Sequence, residues 1–229
     1  MIITTSRLIR WAGLSALAAG LIFAGIQPIH PPDVVSSVGG STWAIITPLK
    51  TVMCLLMLIG VTGIYARQVT RVGWLGLIGY LIFGLAWAIT YADVFAETVI
   101  LPPLAAAAPQ FVDSMLGIGA GRVSPVDLGA FPTLFALSGG LYMLGGLLLG
   151  IATFRAGILP RWAAGLMAST AFLTPAAAVL PHQFQRLAAV PMGLALAGLG
   201  YALWTERRAH ASDTTPRKES SQLRPTAAE

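Results

Sequence analysis

Charged residues are scarce in this 229-residue sequence. Asp, Glu, Lys and Arg make up only 10% of it, against about 25% in an average soluble domain. Apolar residues make up 56% and the mean hydropathy is +0.77, so the chain lacks the polar surface that a water-exposed globule requires. This composition excludes a soluble enzyme, a coiled coil and a disordered polypeptide, and it predicts an integral membrane protein.

Cysteine and the motifs of soluble catalysis are also lacking. The single cysteine, Cys54, allows neither an internal disulfide nor a multi-thiolate metal site. The sequence contains no HExxH, GxSxG or phosphate-binding loop motif. The net charge of +5 is spread along one predicted membrane face, which argues against nucleic-acid binding. We therefore predict no catalytic residue and no cofactor, and we favour a function that is not enzymatic.

Six segments are long and apolar enough to cross a bilayer, which takes about 20 residues at a rise of about 1.5 Å each. They lie near residues 8–27, 43–65, 72–96, 130–153, 162–181 and 188–204. Because the segments lack the alternation of barrel strands, the predicted fold class is all-α, a six-helix transmembrane bundle over residues 1–205. Residues 206–229 are polar and have the composition of a disordered tail.

The distribution of Lys and Arg predicts the orientation of this bundle. Eleven of these residues fall on the side of the N-terminus, and two, Arg122 and Arg186, fall on the other side. The positive-inside rule then places both termini in the cytoplasm and the long loop 97–129 outside. Odd-numbered segments begin with Arg and Trp, and even-numbered segments carry a proline near the outer end. This recurrence favours three repeated helical hairpins.

Two features of the sequence predict how the helices are covered and packed. In the outer loop, residues 109–116 should form a short helix over the bundle, and residues 124–127 should start another helix toward the fourth segment. Small residues such as Gly146, Gly193 and Gly200 predict close helix packing. The sequence leaves open whether that packing lies within one bundle, in a homodimer or in a larger membrane complex.

The candidate site residues are ionisable and aromatic groups in the outer half. Lys50 lies about seven residues into the second segment, and a charge at that depth must be paired or hydrated. Asp93 and Glu97, spaced i, i+4 on the third segment, are its best predicted partners. These groups form either a structural ion pair or a hydrated cavity that binds a charged ligand or relays protons. Trp87 and Tyr91 either line a pocket there or belong to an interfacial belt.

Two histidines are expected at the same outer level. His30 and His182 follow the first and fifth segments at matching distances from Arg10 and Arg161. Two imidazoles and a carboxylate can bind a metal, although histidines at polar helix ends are more often simply solvated. The sequence does not identify the metal such a site would take.

Three segments carry a resemblance to known proteins, namely residues 27–32 (Gln-Pro-Ile-His-Pro-Pro), 64–68 (Ile-Tyr-Ala-Arg-Gln) and 159–166 (Leu-Pro-Arg-Trp-Ala-Ala-Gly-Leu). Together with the six spans, the chain resembles six-helix bacterial membrane proteins of actinobacterial or chloroflexal type. The resemblance implies a location in the bacterial inner membrane and no known activity.

These observations favour a multipass protein that binds a small molecule, a lipid or an ion in an outward-facing polar cleft, as a small transporter or sensor. One alternative is an accessory or structural subunit of a membrane complex, with the lipid bilayer and a larger assembly as its partners. A third is a membrane metalloenzyme or redox enzyme that uses the outer histidines.

Overall fold

The structure, a computed structural model, describes residues 4–177, 180 and 182–212, with the side chains of all these residues except 182, 183 and 206–212. Within these residues the chain is helical and has no strand. The helices are α1 (Thr5–Ile26), α2 (Ser41–Val99), α3 (Leu101–Ala107), α4 (Pro109–Gly117), α5 (Phe131–Ala156), α6 (Arg161–Ala177), α7 (His182–Gln185) and α8 (Val190–Ser212). The predicted all-helical fold class is confirmed.

Several of these helices suit a membrane. Among the described residues, four segments are long and apolar enough to cross one: Thr5–Ile29, Ser41–Val99, Phe131–Ala156 and Arg186–Thr205. The described part of α6 has 17 residues and continues the fifth predicted segment only to Ala177, and the predicted end at residue 181 lies outside the described residues. Helix α8 runs through Ser212, past the boundary predicted at residue 205, and the rest of the predicted tail, 213–229, is also outside them.

Helix α2 turns back on itself at Gly73. This residue has φ +55° and ψ −157°, a backbone conformation that suits glycine because it has no Cβ. The two arms, residues 41–72 and 74–99, pack against each other in antiparallel fashion. The hydroxyls of Thr51 and Thr98, at similar distances from the turn, lie 3.0 Å apart. The two arms therefore correspond to the second and third segments predicted from the sequence.

The long helices surround one core as a closed ring. Helix α1 packs on the first arm of α2 through the contact of Gly60 with Ala16, and the second arm packs on α5. Helix α5 then contacts α6, α6 contacts α8, and α8 returns to α1. Fully buried apolar side chains fill the interior, among them Met57, Phe83 and Leu196. Every long helix thus buries one side against the same core.

Small residues allow the first and last helices of the ring to approach closely. A Cβ added to Gly20 of α1 would lie 2.4 Å from the carbonyl oxygen of Gly193 on α8, and one added to Gly200 would lie 2.4 Å from the backbone nitrogen of Leu17. Neither position leaves room for a side chain. The predicted close packing of small residues is therefore used within this chain, at the contact of α1 with α8.

A cover of short helices lies over one end of the ring. Helix α4 matches the helix predicted over residues 109–116 and buries Val112 and Leu116 against Trp43 of α2. The cover also contains α3, which the sequence analysis did not predict.

The helix start predicted at residues 124–127 is wrong. The Ser124 hydroxyl accepts a hydrogen bond from the backbone N–H of Val126 and donates one to its carbonyl oxygen, at 3.1 and 2.6 Å. The Asp127 carboxylate accepts a hydrogen bond from the Gly129 N–H, at 2.8 Å. These local bonds satisfy the backbone in a turn, which competes with helix formation. Helix α5 begins only at Phe131.

Candidate functional site

The two ends of the bundle differ in chemistry. One end, which we call the arginine end, carries basic residues near the starts of α1 and α6 and near the ends of α5 and of the first arm of α2. These are Arg7, Arg10, Arg67, Arg71, Arg155 and Arg161. The opposite end, which we call the cavity end, carries the cover helices and both acidic and basic side chains. The candidate site lies at the cavity end.

Lys50 is the central polar group of the cavity end. Its ammonium forms an ion pair with the Glu97 carboxylate and lies 3.3 Å from Nε2 of His30. The Lys50 and Glu97 side chains are only 13% and 17% exposed. The contact predicted between Lys50 and Glu97 is thus present, and Lys50 joins both arms of α2 to the loop that follows α1.

His30 takes a defined protonation state from its two contacts. Its Nδ1 lies 2.7 Å from the carbonyl oxygen of Pro31, which can only accept, so Nδ1 carries the proton and donates it. Nε2 is then an acceptor for the Lys50 ammonium. Burial, with the charges of Lys50 and Arg186 adding to it, lowers the pKa of His30 from 6.5 to about 4. The imidazole is therefore neutral at pH 7.

Acidification should destabilise the protein through His30. Because the pKa is about 4 in the folded chain and 6.5 in the unfolded one, the unfolded chain binds more protons between these values. The stability that neutral His30 contributes is complete above pH 6.5 and is lost as the pH falls through about 4. We expect the wild type to lose about 2 kcal/mol relative to His30→Gln over this range, after allowance for solvent screening. Unfolding in mixed micelles at a series of pH values measures the difference, and parallel curves for the two proteins would contradict it.

The structure gives little support to the predicted metal site. Within the described part of the chain, no group of three His, Cys, Asp or Glu residues is placed to hold a metal ion. The Nε2 atom of His30, one of the two predicted ligands, faces the Lys50 ammonium. The side chain of His182, the other predicted ligand, lies outside the described residues.

A second ion pair at the cavity end was not foreseen from the sequence. Arg186, which precedes α8, pairs with Asp33 in the loop after α1. Arg122 donates to the Asp113 carboxylate and to the backbone carbonyl of Asp33, both at 2.9 Å. Arg186 was recognised in the sequence only as one of two outer basic residues. Its partner lies 153 residues away, beyond the reach of any local spacing rule.

A cavity of about 340 Å³, which we call the outer chamber, opens among these ionisable side chains. Its walls include Asp33, Asp93, Glu97, Lys50 and Arg186, so three carboxylates face two cations. His30 also lines the chamber and is neutral. With all five groups ionised, the chamber carries one negative charge in excess.

Asp93 accounts for this excess. Within the described residues it forms neither a hydrogen bond nor an ion pair, although it is one helical turn before Glu97 on the same arm of α2. Of the two predicted partners of Lys50, Glu97 forms the ion pair, and His30 occupies the other close contact of the ammonium. Asp93 still lines the same cavity as Lys50, as the shared-cavity interpretation requires.

A second cavity of about 310 Å³, which we call the inner chamber, adjoins the outer one toward the middle of the bundle. The two chambers share six of their lining residues: His30, Lys50, Thr90, Val94, Gln185 and Arg186. Trp87 lines the inner chamber, as one of its two predicted roles required. Tyr91 lines neither chamber and packs on Phe95, with 6.1 Å between ring centroids.

Comparison with known protein families, curated proteins and solved structures gives no match. What the two chambers bind must therefore be argued from their own charge, polarity and shape.

Proposed function

We propose that this chain is a six-crossing membrane protein that binds a small organic cation in the outer chamber, as the recognition step of transport or sensing. Its outer surface supports the membrane location. Large apolar side chains are exposed on the helices around the bundle, among them Leu21, Ile59, Leu81 and Phe172, each more than half exposed. A soluble monomer rarely leaves so continuous an apolar surface in water.

The break at Gly73 supports a total of six membrane crossings. A straight helix of 59 residues at about 1.5 Å per residue would be almost three times as long as the hydrocarbon core is thick. Each antiparallel arm of α2 is instead long enough for one crossing. With α1, α5, α6 and α8, the arms make six crossings in a ring.

The orientation follows from the basic residues. The arginine end carries six Arg residues at helix ends, and the positive-inside rule places such an end in the cytoplasm. Both termini then lie in the cytoplasm, and the outer chamber faces the opposite side. Together with the bacterial resemblance, this orientation supports a location in an inner membrane with the chamber toward the exterior.

We infer the class of ligand from the carboxylate of Asp93, which has no hydrogen-bond or ion-pair partner among the described residues. Lys50 and Arg186 are each neutralised by a carboxylate, so a bound anion would have to displace Glu97 or Asp33. A bound cation instead forms an ion pair with Asp93 and neutralises the excess negative charge of the chamber. Charges held in partly buried sites are stabilised when paired, which favours an ammonium compound as ligand.

The Asp93→Asn variant tests this proposal with choline and 2-phenylethylamine as probes. Thermal unfolding of the full chain in detergent should shift upward and saturate as either compound is added, because a ligand that binds the folded state stabilises it. Asp93→Asn should weaken the apparent affinity about tenfold or more, since the charge-assisted contact is lost.

Asp127→Asn is the matched control for this experiment. Asp127 is an exposed acid at the same end whose carboxylate bonds only to the local Gly129 N–H among the described residues, so its loss should leave the affinity unchanged. Acetate and benzoate serve as anionic probes. Saturable stabilisation by the anions alone, or by no probe, would show the proposed ligand class to be wrong.

A further inference from the structure

The inner chamber differs from the outer chamber in its lining. Acidic side chains are absent from its described walls, where aromatic and apolar side chains lie beside polar ones such as Gln27 and Ser138. Phe23 of α1, Trp87 of α2 and Tyr142 of α5 meet there. The Trp87 ring lies 5.3 Å from that of Phe23 and 6.0 Å from that of Tyr142, between centroids and edge to face. This chamber is suited to an apolar occupant with a flat surface.

Two hydrogen-bond donors in this aromatic group have no partner. The indole Nε1 of Trp87 and the hydroxyl of Tyr142 are buried and make no hydrogen bond within the described part of the chain. The Trp87 side chain is also almost fully enclosed, at 2% exposure. Buried donors are nearly always satisfied in proteins because leaving one unpaired is costly. Two neighbouring exceptions, in residues that both line the inner chamber, point to a ligand with an acceptor atom.

The charge state of the chamber limits what that acceptor can be. The two cations at its rim, Lys50 and Arg186, are already paired with Glu97 and Asp33. A carboxylate or phosphate in the inner chamber would be buried without a free cation, which is unfavourable. A neutral carbonyl oxygen has no such requirement and accepts from both an indole N–H and a phenol O–H.

The chamber lies against α5 and α6. These two helices are close near Gly150, where an added Cβ would lie 2.7 Å from the backbone nitrogen of Ala168. Toward the cavity end, Gly139 on α5 and Thr174 on α6 both line the chamber. The chamber therefore borders two of the helices whose outer surfaces expose apolar side chains, which favours an apolar ligand.

We propose that the inner chamber binds a neutral, lipid-soluble carbonyl compound of the quinone type, which accepts hydrogen bonds from Trp87 and Tyr142. This site goes beyond the proposed cation site, because its ligand carries no charge and makes no use of Asp93. It adds a second ligand class to the same end of the bundle.

Binding of decylubiquinone to the full chain in nanodiscs tests the proposal. We expect saturable binding by equilibrium dialysis, and binding about tenfold weaker for Tyr142→Phe, which removes only the hydroxyl. In the absence of ligand the same variant should be no less stable than the wild type, because the hydroxyl it lacks has no partner there. Tyr201→Phe, at an exposed tyrosine on α8, is the matched control and should bind like the wild type.

A second comparison on the wild type does not depend on any variant. Dodecylbenzene, which has no oxygen, should bind at least tenfold more weakly than decylubiquinone. Equal binding of the two, equal binding by Tyr142→Phe, or preferred binding of laurate would overturn the proposal. Asp93→Asn should bind decylubiquinone normally, so a failure of the cation site and a failure of the quinone site are distinguishable.

Discussion

Replacing Lys50 by methionine is expected to lower the free energy of unfolding by about 3–5 kcal/mol, the cost of leaving a buried charge without its partner. Methionine keeps the length and apolar stem of lysine but removes the ammonium. Glu97, 17% exposed, then loses its cation, and Asp93 in the same chamber adds a second uncompensated carboxylate. Unfolding in mixed micelles at pH 7 measures the loss.

The double variant Lys50→Met/Glu97→Gln separates the ion pair from the rest of the site. Because it removes both charges, it should recover most of the stability lost in Lys50→Met, and the coupling of the two changes gives the pair's own contribution. The charge-exchanged variant Lys50→Glu/Glu97→Lys should also be more stable than either single change. Additive losses in both double variants would show that the two side chains do not act as a pair.

A valine at Gly20 should be at least as damaging, although it touches no polar group. The added Cβ would lie within 2.5 Å of backbone atoms of Gly193 and Ala197 on α8, and backbone cannot move aside as a flexible side chain can. The two helices must separate, and we expect a loss of about 3 kcal/mol or more. Thermal unfolding in detergent is the measurement.

Gly25→Val supplies the matched control on the same helix. A Cβ at Gly25 meets no described atom within 4 Å, so this variant makes the same glycine-to-valine change on the same helix without the collision. A Gly20→Val protein as stable as Gly25→Val would contradict the close contact of α1 with α8.

The helices were largely predictable because long apolar segments satisfy their backbone groups best as helices. The thickness of the hydrocarbon sets segment length, and unpaired backbone groups are excluded, so hydropathy alone located the long helices. The pairing of Lys50 with Glu97 was predictable for a related reason. A lysine at that depth needs an acid at the same depth, and few were available.

The remaining contacts depend on distances that no local pattern encodes. Asp33 and Arg186 meet only because α1 and α8 are neighbours in the ring, which the sequence does not reveal. Tyr142 lies within an apolar segment, and nothing in its surroundings there indicates an unpartnered hydroxyl. The helix start predicted at Ser124 was wrong for a different reason. Its local sequence favours both a helix start and a turn, and the hydrogen bonds of Ser124 with Val126 form the turn.

The contact of α1 with α8 has a consequence for how the protein is made. A ribosome adds about 5–20 residues per second, so the last residue of α1 is made roughly 10–40 s before that of α8. During that interval the side of α1 that carries Gly13 and Gly20 lacks its native neighbour. Neither chamber is complete until then, since Arg186, which lines both, directly precedes α8. The chambers therefore form only when the ring closes.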